Sequence, residues 1–295
     1  MANTHVAYIS RERRVEKQKF ANLSTNRSTF QPKSFALISG NGPRDMSANF
    51  VKDRVITTLQ KSFGHNDQGD IYIPKFSISN VPSLGYSMDM DKYWHIVLHD
   101  LIDEVRTLAG TGKFQKIGVP CNTVANKIFD DEIQNALDGT GVEYISMPQK
   151  VLHRFKTDYD KKQLKGNSVA VLGIGTVADL NDDWSRYADI AELDGINIED
   201  TTHLVSEITQ IGFRIKQGDI TGAYSDTLDL IKNGVKSKNV ILALTELSLA
   251  FKEFGFSSKY KQYYDTLDIY ADEFAKEVTG IDPEIIRKHE MNDDI

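Results

Sequence analysis

The feature that most constrains this chain is a recurring strand-then-polar-turn pattern. Phe35-Ala-Leu-Ile-Ser39, Gln115–Val119, Ser168–Leu172 and Asn239–Ala243 are short apolar runs, each entering a polar turn and then a helix-like segment. Continuous apolar runs of this length, separated by amphipathic helices, read as strands of a parallel sheet buried on both faces. In open sheets of that kind ligands lie beyond the carboxyl ends of the strands. Two such ends carry polar motifs, Val119-Pro-Cys-Asn-Thr-Val124 and Ile241-Leu-Ala-Leu-Thr-Glu-Leu247. The first holds Cys121, the one cysteine of the chain.

Further elements follow from periodicity. Asp70–Ile78 reads as a strand, with Pro74 marking an edge or bulge. A helix over Lys92–Leu108 presents Trp94, Val97, Leu98, Leu101, Val105 and Leu108 on one face. Val142–Met147 and Ile196–Ile198 read as strands, Asp200–Lys216 and Asp219–Asn233 as helices, and 258–278 as one amphipathic helix. Met46, Phe50, Val55, Leu59 and Phe63 lie on one face of a helix that Asp45 could cap. His95 and His99 are four apart on their helix, but no HExxH arrangement accompanies them, so they read as structural or surface residues.

The expected architecture is α/β: two similar lobes, each a mainly parallel sheet flanked by helices, with the active-site cleft between them. The boundaries expected are a polar arm at 1–33, a first lobe over 34–141 plus 252–295, and a second over 142–251. The arm carries seven Lys and Arg residues against Glu12 and Glu16. It reads as a loosely docked segment or as a partner-binding one. A net charge of −7 speaks against general nucleic-acid or membrane binding. No apolar run reaches bilayer length. The N-terminus lacks an apolar signal-peptide core, and a single cysteine makes no internal disulfide. The expected setting is therefore cytoplasmic.

Pro120-Cys-Asn-Thr123 resembles the first catalytic motif of the aspartate/glutamate racemase superfamily, and Leu242-Ala-Leu-Thr-Glu-Leu247 its second, Leu-Gly-Cys-Thr-Glu-Leu. The resemblance covers about residues 34–255. It implies cofactor-independent proton transfer at a carbon α to a carboxylate, with no metal and a homodimer as one possible assembly. It implies catalytic roles for Cys121 and Glu246. It implies substrate contacts from Asn41, Gly42, Asn80, Asn122, Thr123, Gly175, Thr176, Leu244 and Thr245. A strand-to-helix turn would lower the Cys121 pKa.

Several positions depart from the family pattern, among them Gly173 in place of a threonine and Ala125 or Asn126 in place of a histidine. Leu244 stands where the second thiol belongs and cannot give up a proton, so one-thiol chemistry is expected, either a racemase or isomerase or a decarboxylase of the arylmalonate type. In that case Leu244 would form an apolar wall facing Cys121. Ser83 to Gly85, and Ala178 or Asp179, replace the arginine and lysine of aspartate-directed members. A small carboxylate substrate with a non-acidic side chain is therefore expected. The alternatives are a non-catalytic carboxylate-binding protein on the same scaffold, or an unrelated two-lobed protein. Cys121 alone could be a small buried residue, and Thr245 and Glu246 could simply cap a helix.

Overall fold

The computed structural model describes residues 30–40, 46–63, 72–180, 184–254 and 260–287. Most of the expected N-terminal arm, Asn41, Gly42 and Asp45 lie outside the described residues.

Among the described residues, eight strands form two parallel sheets. The first contains β1 (Phe35–Ser39), β2 (Phe76–Asn80), β3 (Lys116–Gly118) and β4 (Glu143–Ile145), in the order β2-β1-β3-β4. The second contains β5 (Ser168–Leu172), β6 (Asn197–Glu199), β7 (Asn239–Leu242) and β8 (Gln262–Asp265), in the order β6-β5-β7-β8. Each sheet places its second strand outside its first, then its third and fourth on the other side. The two lobes are therefore alike in topology, and β3 and β7, which precede the two motifs, hold equivalent places. Every residue of β1 is buried, as is every residue of β7. That burial on both faces is what an unbroken apolar run dictates.

The longer α-helices among the described residues are α1 (Met46–Phe63), α2 (Met90–Gly110), α3 (Lys127–Leu137), α4 (Met147–Asp160), α5 (Val205–Lys216), α6 (Ile220–Gly234), α7 (Thr245–Phe254) and α8 (Thr266–Thr279). On α1, Val55, Leu59 and Phe63 are buried as expected, while Met46 and Phe50 are half-buried. Pro148 sits in the first turn of α4, where its missing N–H costs nothing.

Three expectations are corrected. The strand expected at Asp70–Ile78 is β2, Phe76–Asn80, which begins only after Pro74. The single helix expected over 258–278 is a strand followed by a helix. Tyr260, Tyr264 and Leu267 happen to fall at helical spacing, but β8 pairs with β7 before Asp265 caps α8 by accepting a hydrogen bond from the Asp268 N–H at 3.0 Å. Finally, the expected lobe boundaries at 142 and 252 do not follow the sheets. β4 completes the first sheet and β8 the second. The chain then returns, and α8 packs on α1 and α4 in the first lobe.

That return fixes one glycine. A Cβ on Gly118 would lie 2.2 Å from Tyr270 Oη and 2.5 Å from a Phe274 ring carbon. Only a bare α-carbon on β3 lets Leu267, Tyr270 and Phe274 bury against the sheet, and burying side chains of this size contributes about 1.5–3 kcal/mol each.

Direct contacts also stitch the lobes. Arg186 Nε donates to the buried Asp130 carboxylate at 3.1 Å, and the Trp94 and Trp184 rings meet edge to face at 5.4 Å. Burial raises the Asp130 pKa, while Ser146 and Arg186 act against it.

Candidate active site

Cys121 leaves β3 through a tight turn about Pro120, its N–H donating to the Val119 carbonyl at 2.8 Å. One turn of 3-10 helix, Asn122–Val124, follows. The full helix α3 starts later and is capped by Asn126, whose side chain accepts from the Phe129 N–H at 2.8 Å. The dipole of a long helix is therefore not spent on the sulfur. Burial pushes the Cys121 thiol above its ordinary range. Thr123, through its hydroxyl and its N–H, and Lys216 oppose this, while the Glu246 charge adds to it. The expected lowering of the thiol pKa is thus reversed, because desolvation outweighs the donors that a single 3-10 turn supplies.

The half-buried Cys121 lines a cavity of about 50 Å³ between the lobes. The first lobe also contributes Gly40 and Ser87, and the second contributes Lys216, Thr245 and Glu246. Gly40 is needed where it stands, since a Cβ there would lie 2.6 Å from Leu84 Cβ. Thr245 opens α7, and its hydroxyl donates to Glu246 Oε2 at 3.2 Å. Glu246 is buried in the first turn of that helix, a favourable place for an anion. Lys216, the last residue of α5, reaches Glu246 Oε1 at 3.3 Å and Ser87 Oγ at 3.3 Å.

The expected site residues divide clearly. Cys121, Thr245 and Glu246 come together at the cavity, with Thr123 donating to the sulfur. Leu244 does not form a wall facing Cys121. It is buried in the second-lobe core and is not among the residues lining the cavity. At a strand-to-helix turn successive side chains diverge, so Leu244 points into the core while Thr245 points out of it.

Asn122 is buried and its amide serves the fold. Tyr187 Oη donates to its Oδ1 at 2.7 Å, and its Nδ2 donates to Thr266 Oγ1 at 2.8 Å. Gly175 and Thr176 begin a short helical turn that packs against the 122–124 turn from the facing lobe. Neither lines the cavity, although the Thr176 hydroxyl is buried without a hydrogen-bond partner among the described residues. Asn80 is exposed at the end of β2, away from the cavity walls.

Lys216 and Ser87 were not legible as site residues. The two positions where the resemblance would put a cation hold Ser83 to Gly85, and Ala178 or Asp179. Lys216 arrives instead from a helix end, where a lysine reads as ordinary complement to the helix dipole. Among the described residues no group of three or more His, Cys, Asp or Glu side chains is placed to hold a metal ion. No described helix is long and apolar enough to cross a membrane.

The chain has the fold of the aspartate/glutamate racemase superfamily. An aspartate racemase homologue from Pyrococcus horikoshii superimposes with a TM-score of 0.57 at 18% identity, covering 83% of this chain and 98% of that one. The aspartate racemase of Picrophilus torridus superimposes with a TM-score of 0.59 at 17% identity, covering 83% and 94%. No protein-family model matches the sequence, and no curated protein matches it.

Proposed function

We propose that this chain is a racemase-like enzyme that transfers a proton at a carbon α to a carboxylate, without cofactor, using Cys121 as its thiol acid/base. The observation that carries this reading is the position of that thiol. It stands at the carboxyl end of β3, in the wall of an interlobe cavity that the Lys216–Glu246 pair also lines. A Cα proton beside a carboxylate is a very weak acid. Its removal requires a base held against the C–H bond and donors near the oxygens where charge accumulates.

In the forward direction the thiolate takes the Cα proton and becomes a thiol, leaving an enediolate. In return the thiol gives a proton to that carbon. Glu246 is the second proton-handling group in this scheme, in the place left open by the retreat of Leu244 into the core. If the substrate is a 2-substituted malonate, loss of CO2 leaves the enediolate directly. Cys121 then supplies the one proton the carbon needs and regains it from water. For that protonation the raised thiol pKa keeps the sulfur in its proton-donating form. The buried Glu246 carboxylate in the cavity wall favours a substrate whose remaining groups are neutral or basic.

A non-catalytic carboxylate-binding protein is the second reading, favoured by the same raised thiol pKa and by the small cavity. Incubation in D2O with small amino acids and 2-substituted malonates separates the two. Deuterium at Cα, or CO2 release, is the expected result. Thermal stabilisation by a carboxylate with neither would support the binding protein.

A further inference from the structure

We infer that Lys216 is the carboxylate receptor of this cavity and, through its contact with Ser87, one latch between the lobes beside Cys121. This rests on the reading above, that a small carboxylate meets Cys121 here. The argument begins with charge. Among the described residues that line the cavity, Lys216 is the sole cation, and its side chain is only 22% exposed. Its Nζ lies 3.3 Å from Glu246 Oε1 within its own lobe and 3.3 Å from Ser87 Oγ across the cleft.

Size comes next. A cavity of about 50 Å³ has room for a water or two and not for an amino acid. Something in the wall must yield when a ligand enters. Lys216, on its four-carbon stem with three rotatable donors, is a wall residue that can swing aside without moving the backbone. A ligand carboxylate is also a better partner for Nζ than a neutral serine hydroxyl, because both groups then carry charge. Entry therefore exchanges Ser87 for the carboxylate.

Lys216 and Glu246 also present opposite charges side by side. That pair complements an α-amino acid, whose carboxylate and ammonium are themselves adjacent. A second carboxylate on the ligand would be repelled by Glu246, which sets an α-amino acid above a 2-substituted malonate as the substrate. The substrate class is thus a zwitterionic α-amino acid with a neutral or basic side chain.

The single cysteine permits a test that needs no substrate. Iodoacetate and iodoacetamide both alkylate a thiolate, forming a carbon–sulfur bond and releasing iodide, but only iodoacetate carries a carboxylate. The ratio of their rates cancels the thiol pKa, which affects both equally. In the native protein that ratio should exceed the ratio for the urea-unfolded chain, and Lys216→Met should reduce it about threefold, the size expected of one partly exposed charge pair. Lys216→Arg should keep the preference, and Lys216→Gln serves if the methionine variant does not fold. Ser87→Ala should speed both reagents and leave the ratio alone.

An unchanged ratio in Lys216→Met and Lys216→Gln overturns the receptor role. Unchanged rates in Ser87→Ala overturn the latch. Either result leaves the function of Cys121 standing. If native Cys121 resists both reagents in every variant yet reacts once unfolded, the inference and the reading it rests on both fall.

Discussion

Asn122 Nδ2 donates to Thr266 Oγ1 at 2.8 Å, joining the turn after β3 to the first residue of α8. The bond is one link in a buried chain of donors. Tyr187 Oη gives to Asn122 Oδ1 at 2.7 Å, and Thr266 Oγ1 gives to the Leu242 carbonyl at 2.7 Å. The residue beside the thiol thus ties together both sheets and the helix that closes the first lobe.

Asn122→Ala should therefore act mainly on stability. It strands the Tyr187 hydroxyl and one partner of Thr266 in the interior, at a cost of about 2–4 kcal/mol. Urea unfolding would measure this. A variant of wild-type stability that lost activity would instead make Asn122 a substrate contact.

The ionisation of Cys121 is open to direct titration. The rate of modification by iodoacetamide should rise with pH through an inflection above 9.0, the ordinary value for the group. Glu246→Gln removes a negative charge that disfavours the thiolate, so its inflection should lie lower. An inflection near neutrality in the wild type would mean that donors around the sulfur outweigh its burial.

Asp265 supplies a pH dependence of stability. Burial pushes its pKa from 3.8 up to about 6, against the Asp268 N–H that favours the charged form. The folded chain keeps this proton to higher pH than the unfolded one, so this group's contribution to stability falls as pH rises from about 4 to about 6 and is flat above. Asn can still accept the capping bond. Asp265→Asn should accordingly match the wild type near pH 4 and exceed it by about 1–2 kcal/mol at pH 7, in denaturant titrations at the two values.

Gly118→Ala places a methyl group against Tyr270 and Phe274, whose side chains are fully buried. The expected loss is about 1–3 kcal/mol. Tyr270→Phe in the same chain should recover part of it by removing the atom that a Cβ would meet first, less the hydrogen bond from Tyr270 Oη to the Ile145 carbonyl.

How much of this was legible in the sequence depended on whether the deciding force was local. Phe35–Ser39 and Ser168–Leu172 are found as strands within the expected bounds, because five-residue apolar runs leave little choice. β8 was missed because Gln262-Tyr-Tyr-Asp265 sits at helical spacing with the residues around it, and only pairing with β7 makes it a strand. Within the site, Cys121, Thr245 and Glu246 meet as their places after equivalent strands implied. Leu244 was misjudged because the sequence orders residues but does not say which way a turn points them. Lys216 was invisible because its reach to Ser87 spans 129 positions, and no local pattern encodes a contact that the closing of two lobes creates.

The most direct test of the central claim is the rate at which Cα hydrogen exchanges with D2O, compared between the wild type and Cys121→Ala on the substrate that exchanges fastest. The account predicts that Cys121→Ala, folded by circular dichroism, loses about a thousandfold or more of that rate, the scale of one positioned acid/base. Exchange at the wild-type rate without the sulfur would contradict it.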